Sequence, residues 1–179
     1  MAKNTIEISV NLIEAALYEV NFLQQVHQDK YLGTLPGVKH AIYRYERFWL
    51  PLLKKQGFDE AKDAEFVPPL DIHWIWHTHM LAPLQYAKNC NEMFGRSFGH
   101  RLYSLKEAEQ RRTMTRQMWE EEYINEPFDI RKDPSIQVPD SKFDYDLLAA
   151  TQRQKHFYYQ VVNFLFHYYL HKVYYIYNT

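Results

Sequence analysis

The segment from Leu70 to Tyr86 constrains the fold more than any other part of this sequence. It reads Leu-Asp-Ile-His-Trp-Ile-Trp-His-Thr-His-Met-Leu-Ala-Pro-Leu-Gln-Tyr, and we call residues 70–86 the Trp/His segment. At about 100° per residue, a helix from Asp71 to Leu81 carries large apolar or aromatic side chains on every side. A helix that is apolar all round is normally buried in the middle of a fold. We therefore predict a short central helix that longer helices surround.

Apolar residues at helical spacing and capping signals predict the surrounding helices. They run from Asn11 to about His27, through Ala41 to Leu53 with a kink or an end at Pro51, from Pro83 to Phe94, from Ser104 to about Tyr123, and from Asp144 or Asp146 onward. Breaks are expected at Gly33–Gly37, Phe58–Pro69 and Asn125–Asp140. Glycine is scarce, and Asn-Gly or Asp-Gly hairpin signals are absent. The sequence predicts an all-α, bundle-like domain of about five to seven helices.

One domain covering residues 1–179 fits a chain of this length. Within it, we interpret residues 1–143 as the main part and residues 144–179 as the start of a second, incomplete repeat. The repeat rests on five residues that recur 135 positions later: Leu12, Ala15, Phe22, Gln25 and Val26 become Leu147, Ala150, Phe157, Gln160 and Val161. Coincidence between two amphipathic helices is the alternative.

Charge and composition exclude several classes of protein. The formal net charge is −1, so no overall field attracts DNA or an anionic membrane surface. The single cysteine and the absence of an apolar leader favour the cytoplasm. The apolar segment Phe157–Tyr177 contains seven tyrosines and several polar residues, which favours a buried core helix over a membrane span.

The histidines of the Trp/His segment allow two interpretations. As buried side chains they would need hydrogen-bond partners inside the protein. Alternatively, His73 and His77 are four residues apart on one helix face and can converge on zinc or iron. His79 lies about 200° from His77 and cannot share that ion while the helix is regular. The sequence leaves a third ligand open among His27, His40, Cys90, His100 and the carboxylates, so we assign no cofactor.

Two other groups suggest chemistry less strongly. Cys90 could act as a nucleophile beside a histidine, but a cysteine inside a predicted helix is usually a small buried hydrophobe. The arginines at 111, 112 and 116 could bind phosphate, yet Glu107 and Glu120 lie at helical pair spacings from members of this cluster. We predict a solvated, self-paired face there, and no catalytic residues are assigned.

The run from Pro69 to Pro83, followed by Tyr86 and Cys90, resembles the helical region of the glycine-rich domain-containing proteins, large proteins best known from plants. Its Trp-His-x-His-x-Leu-x-Pro pattern spans residues 76–83. Weaker matches occur at residues 12–16, 22–23, 44–48 and 153–161. The resemblance implies a module of unassigned biochemistry, in a family of which some members carry separate RNA-binding or glycine-rich parts. It marks a signature without a known chemical role: Asp71, Trp76, His77, His79, Pro83 and Tyr86.

We predict a non-enzymatic protein-interaction or scaffold module, cytoplasmic and with an unknown protein partner. This prediction rests on the near-neutral charge, the surplus of aromatic residues and the lack of a catalytic constellation. Two alternatives stay open: a metal-dependent enzyme or metal sensor that uses His73 and His77, and an RNA-associated protein, as the resemblance suggests.

Overall fold

The computed structural model describes residues 11–55, 66–101 and 103–161 of the chain. Six α-helices lie wholly within these ranges: α1 (Leu12–Gln28), α2 (Leu35–Arg44), α3 (Leu50–Lys55), α4 (Leu70–Met80), α5 (Pro83–Phe94) and α6 (Leu105–Glu122). A π-helical turn, Tyr45–Trp49, joins α2 to α3, and residues 147–161 are helical as well. No β-strand occurs among the described residues, so the predicted all-α fold is confirmed.

Most of the helix ends lie where the capping signals predict them. The Asn11 side chain accepts hydrogen bonds from the backbone N–H groups of Ile13 and Glu14, which fixes the start of α1. Ser104 and Glu107 form a reciprocal capping box at the start of α6. Pro83 lies in the first turn of α5, and Gly95 ends that helix with a left-handed φ of 79°.

Pro51 does not end its helix. The backbone N–H of Leu50 bonds to the carbonyl of Tyr45, five residues earlier, so the widened π turn lies just before the proline. Proline lacks a backbone N–H and crowds the preceding turn. Here the chain stays helical through α3, and the side chains of Tyr45, Trp49 and Leu50 are all completely buried.

The break expected at Gly33–Gly37 is shorter than predicted. Helix α2 already begins at Leu35, because the Thr34 hydroxyl accepts a hydrogen bond from the backbone N–H of Gly37 at 3.1 Å. Gly37 is therefore a helical residue, and it packs directly against the carbonyl of Tyr31, where a Cβ atom would clash.

We expect Gly37→Ala to destabilise the domain by about 1–3 kcal/mol, because overpacking forces the backbone of Tyr31 to move. Urea unfolding of the two proteins measures this loss. Gly95→Asn is a suitable comparison, since Gly95 has open space around it and asparagine tolerates its left-handed conformation. A Gly37→Ala variant as stable as the parent would contradict the close approach.

Helix α4 lies in the core, as the Trp/His segment predicts. It contacts α1, α2, α5 and the π turn, and the side chains of Ile72, Ile75, Trp76 and His79 have no exposed surface. Asp71 does not cap α4, although an aspartate just before an apolar run is a common N-cap residue. Pro69 occupies the N-cap, α4 starts at Leu70, and the Asp71 carboxylate is buried.

The helical residues 147–161 pack against the same core. Leu147 and Ala150 are buried, and Asp146 caps this helix by accepting a hydrogen bond from the backbone N–H of Ala149 at 2.8 Å. Two positions that the proposed repeat equates differ in environment, since Phe22 is buried and Phe157 is exposed. Duplication stays a prediction.

The described residues include no helix long and apolar enough to cross a membrane. The greater part of Phe157–Tyr177, for which we predicted a core helix, lies outside the described residues.

Candidate functional site

Two signature residues, Trp76 and Tyr86, are joined by a buried hydrogen-bond relay. The indole N–H of Trp76 donates to the Tyr86 hydroxyl at 3.0 Å, and that hydroxyl donates to the carbonyl of Phe98 at 2.8 Å. Burial raises the pKa of the Tyr86 phenol. The relay ties α4 to α5 and to the chain beyond α5, so these two residues position the segment and present no group to solvent.

His79 is held on both of its ring nitrogens. Nδ1 lies 3.0 Å from the hydroxyl of Tyr45, and Nε2 lies 3.3 Å from the amide nitrogen of Asn89. Burial lowers the pKa of His79 to about 4, so the ring is neutral at pH 7. These contacts are those expected of a structural histidine with satisfied ring nitrogens.

His73 faces another histidine. Its Nε2 atom lies 3.3 Å from Nε2 of His100, and its ring packs on Phe22 with the centroids 4.1 Å apart. Burial is the main reason that the pKa of His73 lies well below its usual value, and the nearby His100 and His77 rings lower it further. Burial also lowers the pKa of His100 to about 4, so both rings are neutral at pH 7, and a hydrogen bond between them requires one of the facing nitrogens to be protonated.

His77 contacts a different neighbour. Its Nε2 atom lies 3.5 Å from the Glu19 carboxylate, and its ring stacks on Trp74 at 6.1 Å. Burial lowers the pKa of His77 to about 4. His73 and His77 thus have different nearest polar partners. Within residues 11–55, 66–101 and 103–161, no three or more histidine, cysteine, aspartate or glutamate side chains form a group able to hold a metal. Metal binding by these histidines stays a prediction.

Asp71 belongs to a buried ionic cluster centred on Arg44. The Arg44 guanidinium donates to Asp71 at 2.6 Å and to the carbonyls of Pro127 and Phe128 at 2.8 and 2.7 Å. Its Nε lies 2.9 Å from Glu126, an ion pair without hydrogen-bond alignment. Burial raises the pKa of Asp71 to about 6, although Arg44 acts in the opposite direction. The cluster fastens α2 and α4 to the long loop after α6.

The sequence did not single out Arg44 as a site residue, nor Tyr45 and Asn89, which hold His79. Their immediate sequence neighbours do not mark them, since Tyr45 lies between Arg44 and Glu46, and Asn89 lies between Lys88 and Cys90. A buried arginine requires an acidic partner. The presence of Asp71 next to the apolar run was therefore the sequence feature that could have indicated an ion pair with Arg44.

Cys90 is completely buried, and burial raises the pKa of its thiol to about 12. At neutral pH the side chain is therefore a thiol and not the thiolate that attacks substrates. This geometry does not support nucleophilic catalysis at Cys90.

Apolar side chains reach solvent within the Trp/His segment and on α1. At the corner between α4 and α5, Leu81 and Leu84 are 52% and 84% exposed, beside the exposed Pro83. On α1, Ile13, Leu17 and Val20 are 75%, 65% and 48% exposed. The α1 residues lie at i, i+4 and i+7, so they form one stripe along the helix, which we call the outward face of α1.

Comparison with known proteins gives consistent matches. The family model described as "Glycine-rich domain-containing protein-like" matches residues 1–89 and 85–177. Glycine-rich domain-containing protein 1 of Arabidopsis thaliana is 36% identical over 165 residues, which cover 87% of this chain and 20% of that protein. Glycine-rich domain-containing protein 2 of the same plant is 34% identical, over 87% of this chain and 21% of its own length. The chain thus spans about a fifth of the length of these relatives. No solved structure matches it significantly.

Proposed function

This chain belongs to the glycine-rich domain-containing protein-like family, and on that premise we propose that it is a non-enzymatic, cytoplasmic protein-interaction module. We propose further that it docks an amphipathic helix of a partner protein on the outward face of α1. The single observation that carries this function is the row of exposed apolar side chains at Ile13, Leu17 and Val20.

The polar groups of the Trp/His segment support a structural role for it. His79, Trp76 and Asp71 each have buried partners within the protein. A group that already has its hydrogen-bond partners gains little from a ligand, and losing a partner leaves a buried polar atom unsatisfied. The functional surface is therefore sought outside the segment that dominates the sequence.

The outward face of α1 favours a helix as its occupant. It runs from Ile13 to Val20, about 10 Å at 1.5 Å per residue, and it is a single narrow stripe with no charged residue in the row. Apolar side chains at i, i+4 and i+7 have the a/d spacing along which two helices pack in a coiled coil. An uncharged stripe is complemented by an equally apolar helix face, which argues against a highly charged partner.

A photo-crosslinking residue at Leu17 tests the function and identifies the partner, which is then purified. We expect Leu17→Glu to weaken binding of the purified partner about 30-fold, because a central apolar anchor contributes about 2 kcal/mol. Met114→Glu is the matched control, since Met114 on α6 is 64% exposed, as Leu17 is 65%. Both variants should keep the parent's circular dichroism spectrum and urea midpoint.

Two results would contradict this proposal. One is an unchanged affinity for Leu17→Glu. The other is concentration-dependent dimerisation of the purified chain that Leu17→Glu abolishes, because the occupant would then be a second copy of this chain.

The metal-dependent alternative requires an ion at His73 and His77, and the facing His73–His100 pair is the geometry that favours it. Elemental analysis of protein purified without chelators separates the two functions. Stoichiometric zinc or iron that disappears in His77→Ala would replace the proposal. RNA association, the other alternative, requires an affinity that falls steeply with salt.

A further inference from the structure

A small cavity of about 130 Å³ lies between α1, α6 and the residues that lead into α4. Tyr18, Asn21 and Gln25 line it from α1, and Glu109 and Arg112 line it from α6, with His73 of the Trp/His segment beside them. We call it the α1–α6 pocket. The pocket faces a different side of α1 from Ile13 and Leu17, so it is separate from the proposed docking surface.

Arg112 distinguishes this pocket from an ordinary surface depression. The sequence predicted that the arginine cluster pairs with its own helix, and Arg116 does so with Glu120 at 3.8 Å, while it also lies 2.6 Å from Asp129 in the loop after α6. Arg111 lies over the ring of Tyr103 at 4.5 Å. Throughout the described ranges, by contrast, no residue forms a hydrogen bond or an ion pair with Arg112. Its guanidinium has five N–H donors to satisfy and carries a permanent positive charge.

The neighbours of Arg112 add donors and apolar surface. The Tyr18 hydroxyl is protonated, since burial raises its pKa more than the nearby Arg112 lowers it. The side-chain amides of Asn21 and Gln25 bond to each other at 2.5 Å, which fixes them along the wall. Phe22 and Leu70 supply apolar contact. A neutral phenol and a guanidinium that share one cavity suit an oxygen anion.

The volume and the charges of the α1–α6 pocket restrict the class of ligand further. A cavity of about 150 Å³ can hold benzene, so this pocket fits a ligand of that order. Glu109 is an exposed carboxylate at the pocket, and it repels a dianion such as phosphate more strongly than a monoanion, which Arg112 can neutralise. We propose that the α1–α6 pocket binds a small organic monocarboxylate, and that Arg112 holds its carboxylate group.

Benzoate is the probe, with benzamide as its neutral isostere and inorganic phosphate as a dianion. Titration of benzoate into the ¹⁵N-labelled full chain should give saturable NMR chemical-shift changes at the amides of Tyr18, Gln25 and Arg112. Benzamide and phosphate should give no changes of comparable size. Arg112→Gln should weaken benzoate binding at least about tenfold, because the charge-assisted bidentate contact is lost. Arg116→Gln, a matched change one turn away on the same helix, should leave it unchanged.

Benzamide that binds as well as benzoate would overturn the proposal, and so would tighter binding of phosphate or undiminished binding to Arg112→Gln. Because Arg112 is only partly buried and has no ion-pair partner among the described residues, the variant should fold, and its urea midpoint verifies this. A failure here leaves the Leu17 experiment unaffected, since the two surfaces share no tested residue.

Discussion

Acidification from pH 7 to pH 5 is expected to unfold this domain, because its core contains histidines that must be neutral. Burial lowers the pKa of His77, of His79 and of the partly exposed His100 to about 4, against about 6.5 in an unfolded chain. His40, which is buried beside Arg44, has its pKa lowered to about 4 as well. Between these two values the unfolded chain binds more protons than the folded one.

Proton linkage gives the direction in which stability changes with pH. Where the unfolded state binds more protons, stability rises with pH, so the contribution of these histidines is complete above about pH 6.5 and is lost as the pH falls towards 4. At pH 5 each such histidine costs about 2 kcal/mol, so four cost at most about 8 kcal/mol. Asp71 opposes this by about 1 kcal/mol, because its folded pKa of about 6 lies above the usual value. The net loss of stability is comparable with the whole free energy of unfolding of a domain, about 5–15 kcal/mol.

Urea titrations followed by tryptophan fluorescence at pH 7, 6 and 5 measure the loss. Replacing His79 by glutamine should flatten the pH dependence, because one proton-binding site is removed from the unfolded chain. The matched control is His156→Gln, at a ring exposed on the described part of the last helix. Equal stability at pH 7 and pH 5 would show that these imidazoles are not sheltered from water.

Arg44→Ala is expected to cost about 3–5 kcal/mol, the largest effect of any single change that we predict. The substitution leaves Asp71 buried without its counter-ion, and breaking a buried pair by removing one partner costs about that much. It also removes the donors to the carbonyls of Pro127 and Phe128. Arg44→Lys should restore little, since one ammonium cannot reproduce the planar fork.

Arg116→Ala is the matched control, because the Arg116–Asp129 pair is at the surface and such pairs contribute about 0–1 kcal/mol. In the Arg44→Ala background, Asp71→Asn should recover part of the loss, because an amide is cheaper to bury unpaired than a carboxylate. Additive losses in this double-mutant cycle, measured by urea unfolding, would mean that Arg44 and Asp71 do not interact in the folded protein.

Local signals were sufficient for most of the secondary structure. Asn11, the Ser104–Glu107 capping box, Pro83 and Gly95 act on backbone groups within four residues, so the helix ends they mark were predictable. The start of α2 was missed because Gly37 indicates a turn, whereas here the missing side chain serves a close approach to Tyr31. That requirement comes from packing and leaves no local trace.

The partners of the candidate site residues were less predictable than the helix ends. The burial of α4 followed from its composition, and Trp76 and His79 are completely buried as predicted. Spacing within one helix paired His73 with His77, whereas the structure pairs His73 with His100, 27 residues away. Likewise, helical spacing implied that the arginine cluster is self-paired, while α1 contributes the rest of the pocket around Arg112.

Hydrophobic periodicity and end caps act over one or two helical turns, so the all-α class and the central position of α4 could be predicted from the residues alone. The partner of each polar side chain, by contrast, depends on how the helices pack. Arg44 meets Asp71 and Phe128, and the outward face of α1 is exposed in the described part of the chain, because packing brings together helices that are distant in the sequence. A polar group that loses water takes whichever partner that packing brings within about 3 Å.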